Sequence, residues 1–225
     1  MEYKRVTLFA GHYGSGKTTA AVSYALALRQ VCPAVTVADL DIVNPYFRTK
    51  DSADVLSARD IQLISSPYAN SNVDLPALPS QMYAIVEDTR RHFVVDVGGD
   101  DRGALALGRL TEGLLAENNY EMLFVINRYR PLTASASAAA EVLKEIEAAC
   151  RLPFTHIANC SNIGAATTKE DILASLDYAK EVSSLCGLPI KLTALRQELF
   201  DSVKNDVPGA FAVNCDQYRI APLLK

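Results

Sequence analysis

The chain has no tryptophan, no Cys-x-x-C pair, no long run of lysine and arginine, and no apolar stretch long enough to cross a membrane. Each absence narrows the range of functions. The five cysteines, Cys32, Cys150, Cys160, Cys186 and Cys215, are odd in number and lack ligand spacing. They read as buried, reduced thiols of a cytoplasmic protein rather than as a metal-binding set. Lys plus Arg is 22 against 26 Asp plus Glu, a net charge of −4. A mildly acidic chain lacks the electrostatic footprint of a nucleic-acid binder, so nucleic acid is not an expected partner. Met1-Glu2-Tyr3-Lys4-Arg5 leads into a strand-like run without the apolar core of a signal peptide. No transmembrane segment is expected, and residues 218–225 are too short for an amphipathic membrane anchor.

What is present suits one α/β domain spanning 1–225. The chain is 49% hydrophobic, enough for a core that includes a buried parallel sheet. Short β-branched runs at 6–10, 35–38, 61–65, 93–97, 122–127, 154–159 and 190–194 alternate with helical patterns at 18–30, 81–90, 104–117, 134–150, 169–185 and 196–203. The alternation predicts a doubly wound, mostly parallel sheet of about seven strands with helices on both faces. Residues 65–80, rich in Pro, Asn and Ser, do not fit the alternation. A loop of this length reads either as functional or as a solvated crossover.

Residues 11–18 read Gly-His-Tyr-Gly-Ser-Gly-Lys-Thr, a complete G-x-x-x-x-G-K-[ST] phosphate-binding loop between a strand and a helix. Gly11, Gly14 and Gly16 let successive N–H groups of His12, Tyr13 and Ser15 turn toward an anion. The following helix, opening Lys17-Thr18-Thr19, adds unpaired N–H groups and the positive end of its dipole. Lys17 suits the β- and γ-phosphates of a nucleotide, and the Thr18 hydroxyl suits Mg²⁺. The plain alternative is a glycine-rich strand-to-helix turn with a surface lysine.

Two acidic motifs complete such a site. Phe93-Val94-Val95-Asp96-Val97-Gly98-Gly99 places a carboxylate, then a glycine pair, at the end of an apolar strand. Asp96 is a candidate Mg²⁺ residue, and Gly98 or Gly99 a candidate backbone contact to the γ-phosphate. A turn or helix-cap aspartate is the alternative. Asp39-Leu40-Asp41 ends the second strand run; Asp39 and Asp41 share a side if the strand continues. Both suit metal-linked water and the positioning of an attacking water, and residues 42–50 would form a switch-like loop.

Gly16-Lys17-Thr18-Thr19, the D-x-D at 39–41 and the V-V-D-x-G-G strand end at 94–99 together resemble the MinD/ParA and CobQ/CobB-like group of P-loop ATPases, from residue 5 to about 195. The resemblance implies ATP and Mg²⁺ as cofactors. It makes Lys17 and Thr18 the nucleotide and metal residues, Asp41 the water-positioning residue and Asp96 the magnesium residue. It also implies a homodimer on nucleotide binding and a nucleotide-controlled protein partner. Asn159 resembles the asparagine that reads the base, with Asn127 as a rival; a strand-end turn is the alternative for both. Neither is followed two residues on by the aspartate of guanine readers, which favours ATP.

One position departs from the group. Where it carries an early loop lysine, this chain has His12. A neutral imidazole donates only one hydrogen bond and carries no charge. An exposed loop histidine without a role is the alternative. Arg48, Arg102, Arg128 and Arg130 are the candidate replacements for the missing charge. The expected activity is hydrolysis of ATP to ADP and phosphate in a switch protein. Two other readings are a phosphotransferase or ligase acting on a small molecule held by loop 65–80, and a module that binds ATP without hydrolysing it.

Overall fold

The computed structural model describes residues 3–40, 52–65, 78–99 and 101–214. The apolar runs form eight strands: β1 (Val6–Ala10), β2 (Val35–Leu40), β3 (Gln62–Ser65), β4 (His92–Val97), β5 (Tyr120–Ile126), β6 (His156–Asn159), β7 (Ile190–Arg196) and β8 (Ala210–Val213). They pair in the order β3-β2-β4-β1-β5-β6-β7-β8, and every described pairing is parallel. Parallel neighbours need crossovers, and these are supplied by α1 (Lys17–Arg29), α2 (Ala53–Ser57), α3 (Ala84–Glu87), α4 (Asp101–Gly108), α5 (Thr111–Glu117), α6 (Ala136–Cys150), α7 (Lys169–Cys186) and α8 (Gln197–Val203).

Alternation along the strands sends side chains to two separate cores. Phe9, Val35, Val37, Val94, Leu123 and Val125 pack with α1 on one face. Leu8, Ala38, Val95, Val97 and Phe124 pack with residues of α4 to α7 on the other. Both faces are covered, which is why these strands read as continuous apolar runs.

The expected parallel sheet is present and has eight strands. β8 is a four-residue edge strand with three half-buried positions, so it carries little hydrophobic signal; it is recruited by pairing with β7 from Thr193 to Arg196. Two helix expectations need correction. The helix expected over 104–117 is two helices, broken at Arg109-Leu110. There the Thr111 hydroxyl donates to the Cys150 carbonyl at 2.7 Å, a tertiary bond no local pattern reveals. The helix expected over 81–90 is a 3₁₀ turn (Ser80–Tyr83) running into the single turn of α3, which ends at extended Asp88. Beside it the buried Arg5 guanidinium pairs with Glu117 and donates to the Ile85 and Asp88 carbonyls at 2.8 and 3.1 Å.

On the α1 face, toward the strand N-termini, Glu121 of β5 is buried with 1% of its surface exposed. Its carboxylate accepts hydrogen bonds from the Thr7 hydroxyl at 3.0 Å and the Tyr24 hydroxyl at 2.8 Å, and it pairs with Lys191. The His156 ring lies 4.0 Å from its second oxygen. Burial, reinforced by the Glu121 charge, pushes the Tyr24 phenol well above its usual range. This one carboxylate joins β1, α1, β5, β6 and β7.

Candidate nucleotide site

The strand order places the site. β1 lies centrally between β4 and β5, so the chain leaves it in the crevice where crossovers diverge to either side, as ligand sites in open α/β sheets do. The loop from Gly11 to Gly16 fills that crevice. A side chain at Gly11 would put its Cβ 2.4 Å from the Val125 carbonyl oxygen, so only glycine lets the loop run this close to β5. Gly16, at φ 100°, turns the chain into α1 in the left-handed region. α1 begins with no side-chain cap and no acidic residue in its first turn, whereas α6 and α7 are capped by Ser135 and Thr168. Its first N–H groups and positive dipole end are left for an anion. Thr18 and Thr19 lie half-buried in that first turn.

Lys17 is buried and folds back over the loop, its Nζ donating to the His12 carbonyl at 3.2 Å. The His12 carbonyl oxygen also accepts from Ser15 N at 3.2 Å, closing the turn. The His12 ring nitrogen Nδ1 lies 3.2 Å from the Tyr13 carbonyl. The Ser15 hydroxyl is buried without a hydrogen-bond partner among the described residues.

Asp39 and Asp96 are register partners on adjacent strands, both buried. In-register neighbours point to the same face. Since Val37 and Val94, two residues earlier on each strand, pack with α1, both carboxylates face the α1 side, and Asp96 is also in register with Phe9 just before the loop. Asp41 and residues 42–50 lie outside the described residues, as do 66–77 of the Pro/Asn/Ser-rich loop.

The glycine pair after Asp96 returns to the loop. A Cβ on Gly99 would lie 2.7 Å from Tyr13 N and 2.8 Å from Lys17 Nζ, and one on Gly103 would lie 2.6 Å from Gly98 Cα. The β4–α4 segment is therefore packed against Lys17 with no room for a methyl group. Gly99→Ala is expected to displace it: overpacking of this kind costs about 1–3 kcal/mol, which corresponds to roughly ten- to hundredfold in affinity. Calorimetric titration with tripolyphosphate reads this, and unchanged affinity would show that Gly99 does not shape the loop.

No group of three or more His, Cys, Asp or Glu side chains stands ready for a metal among the described residues. The candidate donors are the Thr18 hydroxyl, in the first turn of α1, and the carboxylates of the register partners Asp39 and Asp96. That all-oxygen set suits a hard cation such as Mg²⁺, which keeps most of its ligands from water and phosphate rather than from a protein cage.

Both candidate base readers are buried and bonded within the protein. Asn159 Nδ2 donates to the Ser175 hydroxyl at 2.9 Å, and its Oδ1 accepts from Ser161 N at 3.2 Å. Asn127 Oδ1 accepts from Tyr129 N at 3.0 Å and from Asn162 N at 3.3 Å, while its Nδ2 donates to the Asn162 carbonyl. Each side chain holds a strand-end turn. Two further residues close the loop's flank: a Cβ on Gly16 would meet Cys160 Cβ at 3.3 Å and Asn162 Nδ2 at 4.0 Å. Sequence reasoning missed them because the contact joins segments more than 140 residues apart.

Of the four candidate arginines, Arg48 lies outside the described residues and Arg102 is exposed on α4. Arg128 donates to the Ala174 carbonyl and lies 5.6 Å from the Tyr129 ring centroid. Arg130 reaches the loop, its Nε donating to the Gly14 carbonyl at 2.8 Å.

No protein-family model and no curated protein matches the chain. Solved structures do. A cell division protein FtsY from Thermotoga maritima superposes with a TM-score of 0.58 at 18% identity, covering 84% of this chain and 61% of that one. Chloroplast FtsY from Physcomitrella patens gives 0.58 at 18%, covering 86% and 59%. Signal recognition particle 54 kDa protein from Aeropyrum pernix K1, solved in complex with GDP, gives 0.52 at 16%, covering 85% and 41%. The chain thus spans at most about three fifths of the length of these structures. At such identities the likeness is one of fold. The arrangement built up from the sequence is the single-sheet α/β architecture, a fold that this chain shares with FtsY and the signal recognition particle 54 kDa protein.

Proposed function

We propose that the protein is a Mg²⁺-dependent ATPase that works as a nucleotide-controlled switch. The observation that carries this reading is the convergence at one crevice: a complete phosphate-binding loop, two in-register carboxylates on its α1 side, and a glycine segment packed on Lys17. Lys17 and the loop N–H groups bind the β- and γ-phosphates and stabilise the charge that develops as the terminal phosphoryl group leaves. Thr18 and Asp96, with Asp39 beside it, hold Mg²⁺, which when bound neutralises phosphate charge. Asp41 orients the water whose oxygen bonds to the γ-phosphorus as the bond to the bridging oxygen breaks, giving ADP and phosphate. Because Gly99 touches Lys17, the loss of the γ-phosphate is felt by the β4–α4 segment. A change in that segment would alter affinity for a second copy of the chain and for a protein partner.

A second reading, GTP as the nucleotide, is supported by the GDP bound to the signal recognition particle 54 kDa protein, a structural neighbour of this chain. Neither Asn127 nor Asn159 argues for either base, since both side chains are bonded internally. Titration with ATP and GTP, with Mg²⁺ or EDTA present, together with measurement of phosphate release, tests both. The expected result is Mg²⁺-dependent binding and slow release from ATP, with Asp96→Asn raising the Mg²⁺ concentration needed for half-maximal release by about tenfold or more. Binding of neither nucleotide would sink the proposal; binding and release with GTP alone would decide for the second reading.

A further inference from the structure

The loop, residues 11–18, holds one lysine, Lys17, and no arginine for a ligand of several negative charges. The structure brings a second cation to it from another strand. Arg130 follows β5, and its Nε donates to the Gly14 carbonyl at 2.8 Å. Its Cζ and Nε lie 3.3 Å from where a Cβ on Gly14 would be, so the guanidinium covers the space that the missing side chain leaves. Gly14 is in the left-handed region at φ 73°. Glycine there both makes the turn and admits the arginine.

The side chain is exposed but its base is fixed. Arg130 N donates to the Asn127 carbonyl at 3.1 Å, and Thr133 N donates to the Arg130 carbonyl at 3.0 Å. The Thr133 hydroxyl donates to the Asn127 carbonyl at 2.8 Å, and Asn127 Oδ1 takes the Tyr129 N–H. This turn, followed by Pro131, holds residue 130 beside the loop. Arg130 makes no ion pair with a described residue. With Nε on Gly14, both Nη groups remain for another acceptor, and the planar fork of arginine matches phosphate oxygens.

We infer that Arg130 supplies, from within the same chain, the second positive charge of the phosphate-binding loop, its Nη groups taking the terminal phosphate of a bound nucleoside triphosphate while Nε stays on the Gly14 carbonyl. The inference rests on the nucleotide reading above. It places both cations of the loop in a single chain. Arginines supplied in this way stabilise charge on a transferring phosphoryl group.

The test compares Arg130→Ala and Arg130→Gln with the unmodified chain, using fluorescent ATP, GTP and ADP analogues at low and high salt. Glutamine keeps an N–H donor for the Gly14 carbonyl but has no charge. Triphosphate affinity is expected to fall about ten- to hundredfold in both variants, with a smaller loss for the diphosphate and a weaker salt dependence than in the unmodified chain. Melting temperatures should match, because the side chain is exposed. If Arg130→Gln binds triphosphate as the unmodified chain does, the arginine only braces the loop and the inference is overturned. Equal losses for triphosphate and diphosphate overturn the assignment to the terminal phosphate. If the unmodified chain binds neither triphosphate, the nucleotide reading itself fails and takes the inference with it. If it binds one, and Lys17→Ala abolishes that binding while Arg130→Gln does not change it, only the inference fails.

Discussion

Lys17→Ala is expected to abolish measurable triphosphate turnover. Lys17 is buried beneath the loop, with its Nζ 3.2 Å from the His12 carbonyl and in the space beside Gly99. It thus sits inside the cradle rather than at its rim. Removing a single preorganised donor from a charge-stabilising site lowers turnover by about 10²–10³-fold, and the loss of a full charge at short range adds to this. We therefore expect a decrease of at least about 10³-fold in single-turnover phosphate release, together with weak nucleotide binding. Circular dichroism is expected to show an unchanged fold, since α1 keeps its apolar contacts through Ala20, Ala21, Tyr24 and Leu28. Undiminished release by the purified variant would refute the assignment of the loop as the catalytic phosphate site.

The second large effect concerns stability, at the opposite end of the sheet. Glu121→Ala is expected to destabilise the protein by roughly 3–5 kcal/mol, as breaking one side of a buried ion pair does. The change removes the acceptor of the Thr7 and Tyr24 hydroxyls and the carboxylate partner of Lys191, leaving a cavity beneath α1. Against a total stability of about 5–15 kcal/mol, this is a large fraction. For a chain of this size it corresponds to a drop in melting temperature of roughly 6–20 °C. Denaturant titration would give the same answer through the midpoint. Glu121→Gln, which retains an acceptor for the hydroxyls, should lose less. A melting temperature within about 2 °C of the unmodified protein for Glu121→Ala would mean that the five elements are held together without this carboxylate.

Much of the site was legible along the chain because its parts are local. The loop 11–18 carries its own backbone requirements, and each glycine expected to bend it does so in the structure: Gly11 passes against Val125, and Gly14 and Gly16 take left-handed conformations. The strand ending in Asp96 was legible because a buried parallel strand is a continuous apolar run, so the charge that ends it stands out. Asp39 was equally visible, but its neighbourhood was not. That it lies in register with Asp96 depends on β2 pairing with β4, which is a property of the sheet.

Where local patterns failed, a long-range contact had intervened. The break between α4 and α5 follows from the Thr111 bond to Cys150, a residue on another helix. The short edge strand β8 exists because β7 offers it a ladder. The asparagines at 127 and 159 are bonded to Asn162 and Ser175, partners that come from later segments and that no local pattern shows.

The sequence by itself therefore determined the α/β class and picked out the candidate phosphate-binding loop and its candidate carboxylates, since these depend on residues close together in the chain and on alternation within single elements. Only the tertiary structure decided that β4 and β5 flank β1. That order is set by pairing across the sheet and by burial on two faces, and it alone brings Gly99 onto Lys17 and Arg130 onto Gly14.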